Sequence, residues 1–332
     1  MLPFGKIRKI VGTGGIGRGI FFHFHEMADL GRNESRMATL TDAKDYCKLH
    51  IVFHYLTCLL SPEVTVLPVG MVGSDAEGAA LTAFMQEAGM DISHIGTDPA
   101  RPTMLSVCFQ YPDRSGGNIT TDNSACAAVS EDYIREELSR AKVGPDTLAA
   151  ALPEVPLASR LAMLRAGRES GAVCCCSVAA SEAADYIRNG GPEITDLLAL
   201  NGEEAAAVSG LLQVTEEKEA RKAAETILEK WPHLLLWITY GSGGSLLADR
   251  DGMNAFGILP DASPVNTGGA GDASLAGLIA GLILFDGDRE KAGRCAVLCA
   301  GRSVESPDSI DTTMSWDTIR SRGKLAGPDW EV

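Results

Sequence analysis

The sequence has no region rich in lysine and arginine, and its charge balance is strongly acidic. It carries 29 Lys and Arg residues against 44 Asp and Glu residues, a formal net charge of −15 at pH 7. Nucleic-acid grooves and anionic membrane surfaces are bound through basic patches. We therefore expect no nucleic acid and no membrane as partners. The most apolar run, residues 273–285, is too short to span a bilayer and predicts a buried helix.

Metal-binding and secretory signals are missing as well. None of the nine cysteines forms a Cys-x-x-Cys pair, and the spacing Cys295 to Cys299 has no matching second half, so no zinc site is expected. Residues 1–6 lack the apolar segment of a signal peptide. These features predict reduced thiols in a cytoplasmic protein. No Gly-x4-Gly-Lys-Ser/Thr stretch occurs, which excludes a P-loop as phosphate binder.

The sequence does contain a glycine-rich stretch that leads into an apolar helix, Pro264–Leu282. Gly268, Gly269 and Gly271 would allow positive φ and a close approach of backbone N–H groups to a ligand. The helix that begins there adds the positive end of its dipole, so the pattern predicts a phosphate-binding turn. Asp272 could accept the proton of a hydroxyl that attacks a phosphoryl group, or it could be a helix N-cap.

The run Asn266–Asp272 resembles the second signature of the PfkB family of carbohydrate and nucleoside kinases, usually written Asp-Thr-x-Gly-Ala-Gly-Asp. It departs at the first position, where Asn266 replaces the aspartate. The resemblance implies a ribokinase-like α/β fold, with three layers around a doubly wound, mostly parallel sheet and a small β-sheet lid. It also implies that Asp272 is the general base. The implied anion hole consists of the N–H groups of Gly269, Ala270 and Gly271, with Thr267 and Gly268 beside the nucleotide.

A second stretch, Leu198–Glu204, places Asn201 and Glu204 where a strand enters a helix. It resembles the family's Asn-x-x-Glu, which implies that both residues adjust Mg²⁺ and phosphate binding, Glu204 without direct contact with the ion. The same two residues form the pattern of a helix capping box, and the residues alone leave both interpretations open.

Two more stretches resemble the nucleotide half of the family. The run Trp237–Ser245 resembles the Thr-x-Gly-x-x-Gly loop, which implies nucleotide contacts from Thr239, Gly241 and Gly244. Residues 294–304 resemble the closing helix, which implies that Cys299 and Ser303 belong to the adenine pocket. Core packing would explain these last two residues equally well.

The early stretch Gly12–Gly17 satisfies the Gly-x-Gly-x-x-Gly pattern of dinucleotide-binding proteins. That fingerprint requires a helix next, whereas residues 20–25 are rich in strand formers. An NAD-dependent oxidoreductase is a rival hypothesis that this missing helix disfavours. The family resemblance instead implies a lid strand here. His23 and His25 would share one face of this strand, but no third metal ligand is apparent.

The acceptor-binding half departs from the family pattern. Thr41 and Asp42 are predicted to begin a helix that ends at Ser61-Pro62, and the family's Gly-Gly opening is replaced here by Asp45–His50. The candidates for the acceptor site are chosen because they fall near the place where the family holds its sugar: Arg32, Asn33, Lys48 and His50.

Beyond Ser130, helical and short apolar segments alternate, which indicates the βαβ repeat of a parallel sheet. Helices are predicted near 131–142, 156–169, 181–189 and 215–230, and strands near 172–176, 196–200, 234–239 and 245–248. We expect one domain over residues 1–310, with lid strands inserted around 18–40 and 101–127, and a C-terminal tail over 311–332.

Together these patterns predict a kinase that uses ATP and Mg²⁺ to phosphorylate a hydroxyl group of a sugar-like or nucleoside-like small molecule. The resemblance also implies a homodimer formed through the lid. The alternative is a non-catalytic nucleotide- or ligand-binding protein of the same fold with a degenerate acceptor site. A carboxylate placed against a phosphate favours catalysis over this alternative.

Overall fold

The computed structural model describes residues 2–113, 115–327 and 330–332. Four residues within the predicted domain ranges lie outside this description: Met1, Arg114, Pro328 and Asp329. The strands of the described residues are β1 (Lys9–Thr13), β2 (Gly17–His23), β3 (Thr39–Leu40), β4 (Asp45–Tyr46), β5 (Thr65–Gly73), β6 (Ile95–Asp98), β7 (Met104–Gln110), β8 (Gly116–Thr120), β9 (Thr147–Ala151), β10 (Val173–Ser177), β11 (Leu197–Asn201), β12 (Leu235–Thr239), β13 (Ser245–Asp249) and β14 (Gly252–Phe256).

The α-helices divide between the two faces of the main sheet. In the described residues they are α1 (Lys48–Leu60), α2 (Ala76–Glu87), α3 (Glu131–Ala141), α4 (Leu157–Glu169), α5 (Ala183–Arg188), α6 (Gly202–Ser209), α7 (Glu217–Lys230), α8 (Ala270–Leu284), α9 (Arg289–Ser303) and α10 (Trp316–Ala326). Helices α1, α2, α8, α9 and α10 contribute to one hydrophobic core, and α3 to α7 contribute to a second.

The main sheet has nine strands within the described residues, in the order β14-β13-β12-β11-β10-β9-β1-β5-β6. Neighbours from β12 to β6 pair in parallel, while β13 and β14 are antiparallel. Side chains alternate between the two faces of a strand, so Ile10 and Trp237 lie in the first core and Val11 and Leu236 in the second. This confirms the predicted three-layer, doubly wound α/β fold.

A second, smaller sheet, here called the lid sheet, has five strands among the residues that the structure describes. It has the order β3-β2-β7-β8, with β4 paired to β2. Strands β2 and β7 are parallel, and the other pairs are antiparallel. Its strands leave the main sheet after β1 and again after β6.

Several local predictions need correction. The helix expected from Thr41 begins at Lys48, because Asp45 and Tyr46 pair with β2 as strand β4. Strands β9 and β14 were not predicted. The helix expected at 181–189 is a 3-10 turn followed by the short α5. Within the predicted tail, α10 carries Ile319, which is fully buried in the first core.

Helix α8 is buried over most of its length, as the apolar run predicted. It packs against α9 at two glycines one turn apart, Gly277 and Gly281. A Cβ on Gly277 would lie 2.6 Å from the carbonyl oxygen of Cys295, and one on Gly281 would lie 2.6 Å from Cα of Ala292. The two backbones therefore touch, which only glycine permits. No helix within the described residues combines the length and apolar character needed to cross a bilayer.

We predict that Gly277→Val destabilises the protein, because its side chain would enter backbone atoms of α9. Overpacking of this kind lowers the free energy of unfolding by about 1–3 kcal/mol. Urea denaturation would measure the loss. Gly252→Ala is the matched control, since a Cβ there meets nothing within 4 Å; equal stability of the two variants would contradict the close packing.

Candidate active site

The glycine turn leads directly into α8, whose N-cap is Gly269 with φ of 79°. Of the three glycines expected to have positive φ, only Gly269 does. A Cβ there would also lie 2.7 Å from the carbonyl oxygen of Ser309, so the position requires glycine. Asn266 fixes the turn: its Oδ1 accepts from the N–H of Gly268 at 2.9 Å, and its Nδ2 donates to the carbonyl of Pro307 at 2.9 Å.

The start of α8 presents unpaired backbone donors. Within the described residues, the N–H groups of Gly271 and Asp272 have no protein acceptor, and that of Ala270 lies 3.4 Å from the Thr267 carbonyl oxygen. The first N–H groups of any helix lack intrahelical partners, and here they point out of the turn with the positive end of the dipole. This geometry suits an anion.

Asp272 is the third residue of α8, and the N-cap interpretation of it is wrong because Gly269 occupies that position. Its carboxylate instead forms an ion pair with Lys48, with 2.5 Å between Oδ1 and Nζ. The Asp272 side chain is 13% exposed and that of Lys48 26%, so the pair can be reached by a small molecule. The structure thus joins one predicted catalytic residue to one predicted acceptor residue.

Lys48 lies among three carboxylates. Burial lowers the pKa of its ammonium group, but the charges of Asp272, Glu204 and Glu154 outweigh that effect and raise the pKa. The lysine is the first residue of α1, and its own N–H donates to Oε2 of Glu154 at 3.2 Å. Cys47 at the N-cap makes no side-chain cap, so Glu154 accepts from this first N–H group from the segment that follows β9.

Glu154 is the site residue that the sequence analysis missed. It follows β9 at the carboxyl edge of the main sheet, with a left-handed φ of 77° that is uncommon for a residue with a side chain. A Cβ placed on Gly15 would lie 2.6 Å from Cβ of Glu154, so the glycine at position 15 leaves room for the Glu154 side chain. Burial raises the pKa of Glu154 to about 7, with Lys48 opposing the rise. Recognising β9 as a strand would have placed this acidic residue at the site.

Asn201 and Glu204 form the capping box of α6. Oδ1 of Asn201 accepts from the N–H of Glu204 at 2.9 Å, and Oε2 of Glu204 accepts from the N–H of Asn201 at 2.8 Å. Burial raises the pKa of Glu204, while Lys48 acts in the opposite direction. The capping interpretation is confirmed. The Glu204 carboxylate also interacts electrostatically with Lys48 and Asp272, so a capping role is compatible with a role at the phosphate site.

The loop after β12 lies beside this capping box, because Asn201 and Thr239 are directly paired in the sheet. Gly241 and Gly244 both have positive φ, 64° and 117°. A Cβ on Gly244 would come within 2.3 Å of the carbonyl oxygen of Phe256. The two predicted nucleotide stretches therefore meet at one edge of the sheet, as consecutive parallel strands allow.

The two residues predicted for the adenine pocket are buried in the core. Cys299 and Ser303 are fully buried, Cys299 facing Gly277 and Ser303 accepting from the Tyr55 hydroxyl at 3.3 Å, so neither exposes surface to an adenine ring.

The other acceptor candidates do not join Lys48. His50 is also fully buried, and its ring packs against Tyr46, His54 and Phe84. Arg32 and Asn33 are exposed in the connection between β2 and β3, with no hydrogen bond or ion pair to the site within the described residues.

The early glycines do not form a dinucleotide site. The segment after β1 continues into strand β2 of the lid sheet, whereas a dinucleotide fingerprint requires a helix there. His23 and His25 remain exposed, and no group of three metal-ligating side chains occurs within the described residues.

The sequence matches the profile of the pfkB family carbohydrate kinases over residues 56–316, which is more than half of the chain. The chain belongs to the PfkB family. Three solved structures show the shared fold at low identity. Ribokinase from Giardia lamblia is 18% identical, with a TM-score of 0.80 over 94% of this chain and 99% of that one.

The nucleoside kinase of Burkholderia thailandensis in complex with inosine is 18% identical, with a TM-score of 0.75 over 96% of this chain and 98% of its own. Arabidopsis thaliana ribokinase complexed with ribose and ATP gives 0.74 at 18% identity, over 95% and 98%. No curated protein matches the sequence. The family and the fold of these relatives support a small-molecule kinase.

We predict a pH-dependent contribution of Glu154 to stability. Its pKa is about 7 in the folded protein against an ordinary value of 4.5, so between these pH values the folded state holds a proton that the unfolded state has lost. Stability therefore falls as the pH rises through this window. Urea denaturation of wild type and Glu154→Gln should show the wild-type stability, relative to the variant, decreasing between about pH 4.5 and pH 7.

Glu229→Gln on α7, which changes an exposed glutamate away from the site, is the matched control. A constant or rising difference for Glu154→Gln would show that Glu154 is ionised in the folded protein throughout.

Proposed function

We propose that the protein transfers the γ-phosphoryl group of ATP to a hydroxyl group of a sugar-like or nucleoside-like small molecule, with Asp272 as general base. The ion pair between Asp272 and Lys48, at the open N-terminus of α8, is the observation that carries this proposal. It puts a proton acceptor, a cation and unpaired N–H donors at one point, which are the groups that phosphoryl transfer needs.

The reaction follows from this arrangement. The acceptor hydroxyl lies against Asp272, which takes its proton as the oxygen attacks the γ-phosphorus. The new O–P bond forms while the bond to the bridging oxygen breaks, and ADP leaves with that electron pair. The N–H groups of Gly269, Ala270 and Gly271 and the ammonium of Lys48 stabilise the negative charge on the transferred group.

The two halves of the site divide along the sheet edge. The loops after β11 and β12, with Asn201, Thr239, Gly241 and Gly244, are proposed to hold the nucleotide, together with Thr267 and Gly268 at the turn. The segments after β1 and β9 are proposed to hold the acceptor, where Glu154 offers a carboxylate to its hydroxyl groups. The ATP complexed with Arabidopsis ribokinase supports the choice of nucleotide.

Glu204 fits a role toward Mg²⁺. Glu204 as a residue is 8% exposed, and the capping box uses its Oε2, which leaves Oε1 for a further contact. Mg²⁺ takes oxygen ligands and keeps several of its waters, so one carboxylate acting through water is sufficient. The ion, when bound, neutralises phosphate charge.

Exposed apolar side chains on the lid sheet support a homodimer. Ile119 pairs with Val107, which pairs with Ile20, and all three share the face opposite to Gly19. Ile119 is 70% exposed, and Leu40 at the other edge is 57% exposed. An apolar sheet face of this kind is proposed to pack against a second copy.

All nine cysteines are free thiols, which suits the proposed cytoplasmic location.

The central test is an ATP-consumption screen with Mg²⁺ across pentoses, hexoses, sugar acids, inositols and nucleosides. Asp272→Asn should lower kcat on the accepted compound by about 10²–10⁴-fold, because the hydroxyl proton has no acceptor, and should leave ATP binding intact. Asp317→Asn, exposed at the start of α10, is the control. Near-full activity of Asp272→Asn would refute the general base, and ATP binding without turnover on any compound would favour the non-catalytic alternative.

Light scattering tests the dimer, with an expected mass of twice the 35.0 kDa of one chain. Ile119→Asp should give the single-chain mass, because it places a charge in the apolar face. Leu212→Asp changes a fully exposed leucine outside the lid sheet and should leave the mass unchanged. A single-chain mass for the wild type at micromolar concentration would exclude the dimer.

A further inference from the structure

The segment between α9 and α10, residues 304–311 and here called the strap, is bonded both to α1 and to the turn that opens α8. We propose that the strap sets the distance between Lys48 of α1 and Asp272 of α8, and that Tyr55 and Asn266 are positioning residues that act through it. The proposal rests on the kinase function proposed above, because it assigns residues that hold the groups of that reaction in place.

The glycine turn is bonded to the strap through backbone and side chain. The N–H groups of Val265 and Asn266 both donate to the carbonyl of Val304, at 2.7 and 3.2 Å. Nδ2 of Asn266 donates to the carbonyl of Pro307 at 2.9 Å, while its Oδ1 accepts from the N–H of Gly268. One amide side chain thus joins the strap to the residue that precedes the N-cap of α8.

Helix α1 is bonded to the strap through Tyr55, which lies two turns after Lys48 and is fully buried. The Tyr55 hydroxyl is shared between the carbonyl oxygen of Ser309 at 3.2 Å and Oγ of Ser303 at 3.3 Å. It also accepts from the N–H of Asp311 at 2.7 Å. Because a buried polar group without a partner is costly, these bonds hold the strap against α1.

The residues just before α1 are bonded to the strap as well. The N–H of Lys44 donates to Oδ1 of Asp308 at 2.8 Å, and the carbonyl of Lys44 accepts from the N–H of Ser309 at 3.0 Å. The N–H of Tyr46 donates to Oγ of Ser309 at 3.1 Å. Lys48 follows two residues later, so the chain is tied to the strap on both sides of this lysine.

Ser309 is the point where the two sets of contacts meet. It is fully buried, and its carbonyl oxygen lies beside both the Tyr55 hydroxyl and the backbone of Gly269. A Cβ on Gly269 would lie 2.7 Å from that oxygen, so the strap packs directly on the start of α8. Close-packed interiors transmit displacements, so a shift of the strap would move Lys48 relative to Asp272.

Steady-state kinetics of Tyr55→Phe, with the compound that the ATP-consumption screen selects, test the first positioning residue. We expect kcat to fall about tenfold, because Lys48 shifts relative to Asp272 when the tie to the strap is lost. The Kd for ATP should stay unchanged, since Tyr55 lies outside the loops proposed to hold the nucleotide. Tyr186→Phe is the matched control, because Tyr186 is also fully buried and its hydroxyl lies 2.8 Å from Oγ1 of Thr195 in the second core.

Both variants lose a buried hydrogen bond and should unfold at lower urea concentration than the wild type. Only Tyr55→Phe should lower kcat. Equal kcat values for the two variants would overturn the positioning role of Tyr55.

Asn266→Asp tests the second positioning residue. The aspartate keeps an acceptor for the N–H of Gly268 but places an oxygen against the carbonyl of Pro307, where the amide donates. We expect kcat to fall about tenfold. Asn123→Asp adds the same charge at an exposed position and is the control. A wild-type kcat for Asn266→Asp would show that the amide donor is not needed.

A double-mutant cycle tests whether the strap acts through the ion pair. Lys48→Met removes the cation, so Tyr55→Phe should cause little further loss of kcat in that background. A tenfold loss in both backgrounds would show that Tyr55 acts by another route, and the proposal would be wrong.

Crystal structures without any ligand separate this proposal from the kinase function. The distance between Nζ of Lys48 and Oδ1 of Asp272 should be longer in Tyr55→Phe than in Tyr186→Phe. A longer distance in a protein that phosphorylates no compound would support the strap and refute the kinase. An unchanged distance would refute the strap and leave the kinase intact.

Discussion

The ion pair between Lys48 and Asp272 is the interaction on which the site depends, because its two residues come from different helices that only the folded protein brings together. Lys48 opens α1, which follows the lid excursion, and Asp272 lies in the first turn of α8. A lysine among three carboxylates compensates charges that would otherwise repel one another in a partly buried place. Without Lys48, the carboxylates of Asp272, Glu204 and Glu154 would lose the one cation that acts on all three. The nucleotide and acceptor halves of the site would then lose the ion pair that joins them.

The fold and the local geometry of the predicted nucleotide segments are easier to predict from the sequence than the contacts around Lys48, for a physical reason. The turn at Gly269 and the capping box of Asn201 and Glu204 are local devices, written in adjacent residues, so a pattern can reveal them. Glu154 acts across the sheet on Lys48, with no spacing rule that joins them. Its strand, β9, is short and rich in alanine, which gives little periodic signal.

The start of α1 is a second feature that local sequence patterns did not predict. Thr41 and Asp42 are good N-cap residues, and the apolar spacing behind them is helical, yet Asp45 and Tyr46 join the lid sheet. The pairing of β4 with β2 outweighed the local helix preference, so the helix begins at Lys48. Cys47 occupies the N-cap position, but its side chain makes no capping hydrogen bond. That shift is what makes Lys48 the first residue of the helix, with its N–H available to Glu154. Lys48, chosen for its sequence position, lies beside Asp272, whereas its contact with Glu154 was not visible in the sequence.

The contact of Gly277 and Gly281 with α9 has a mechanical consequence. Backbone contact at Gly277 and Gly281 binds α8 to α9 without the intervening side chains that let helices slide or tilt. Helices α8 and α9 are therefore held together as one packing unit, and Asp272 lies at the N-terminal end of α8. A displacement of Asp272 would therefore require α9 to move together with α8.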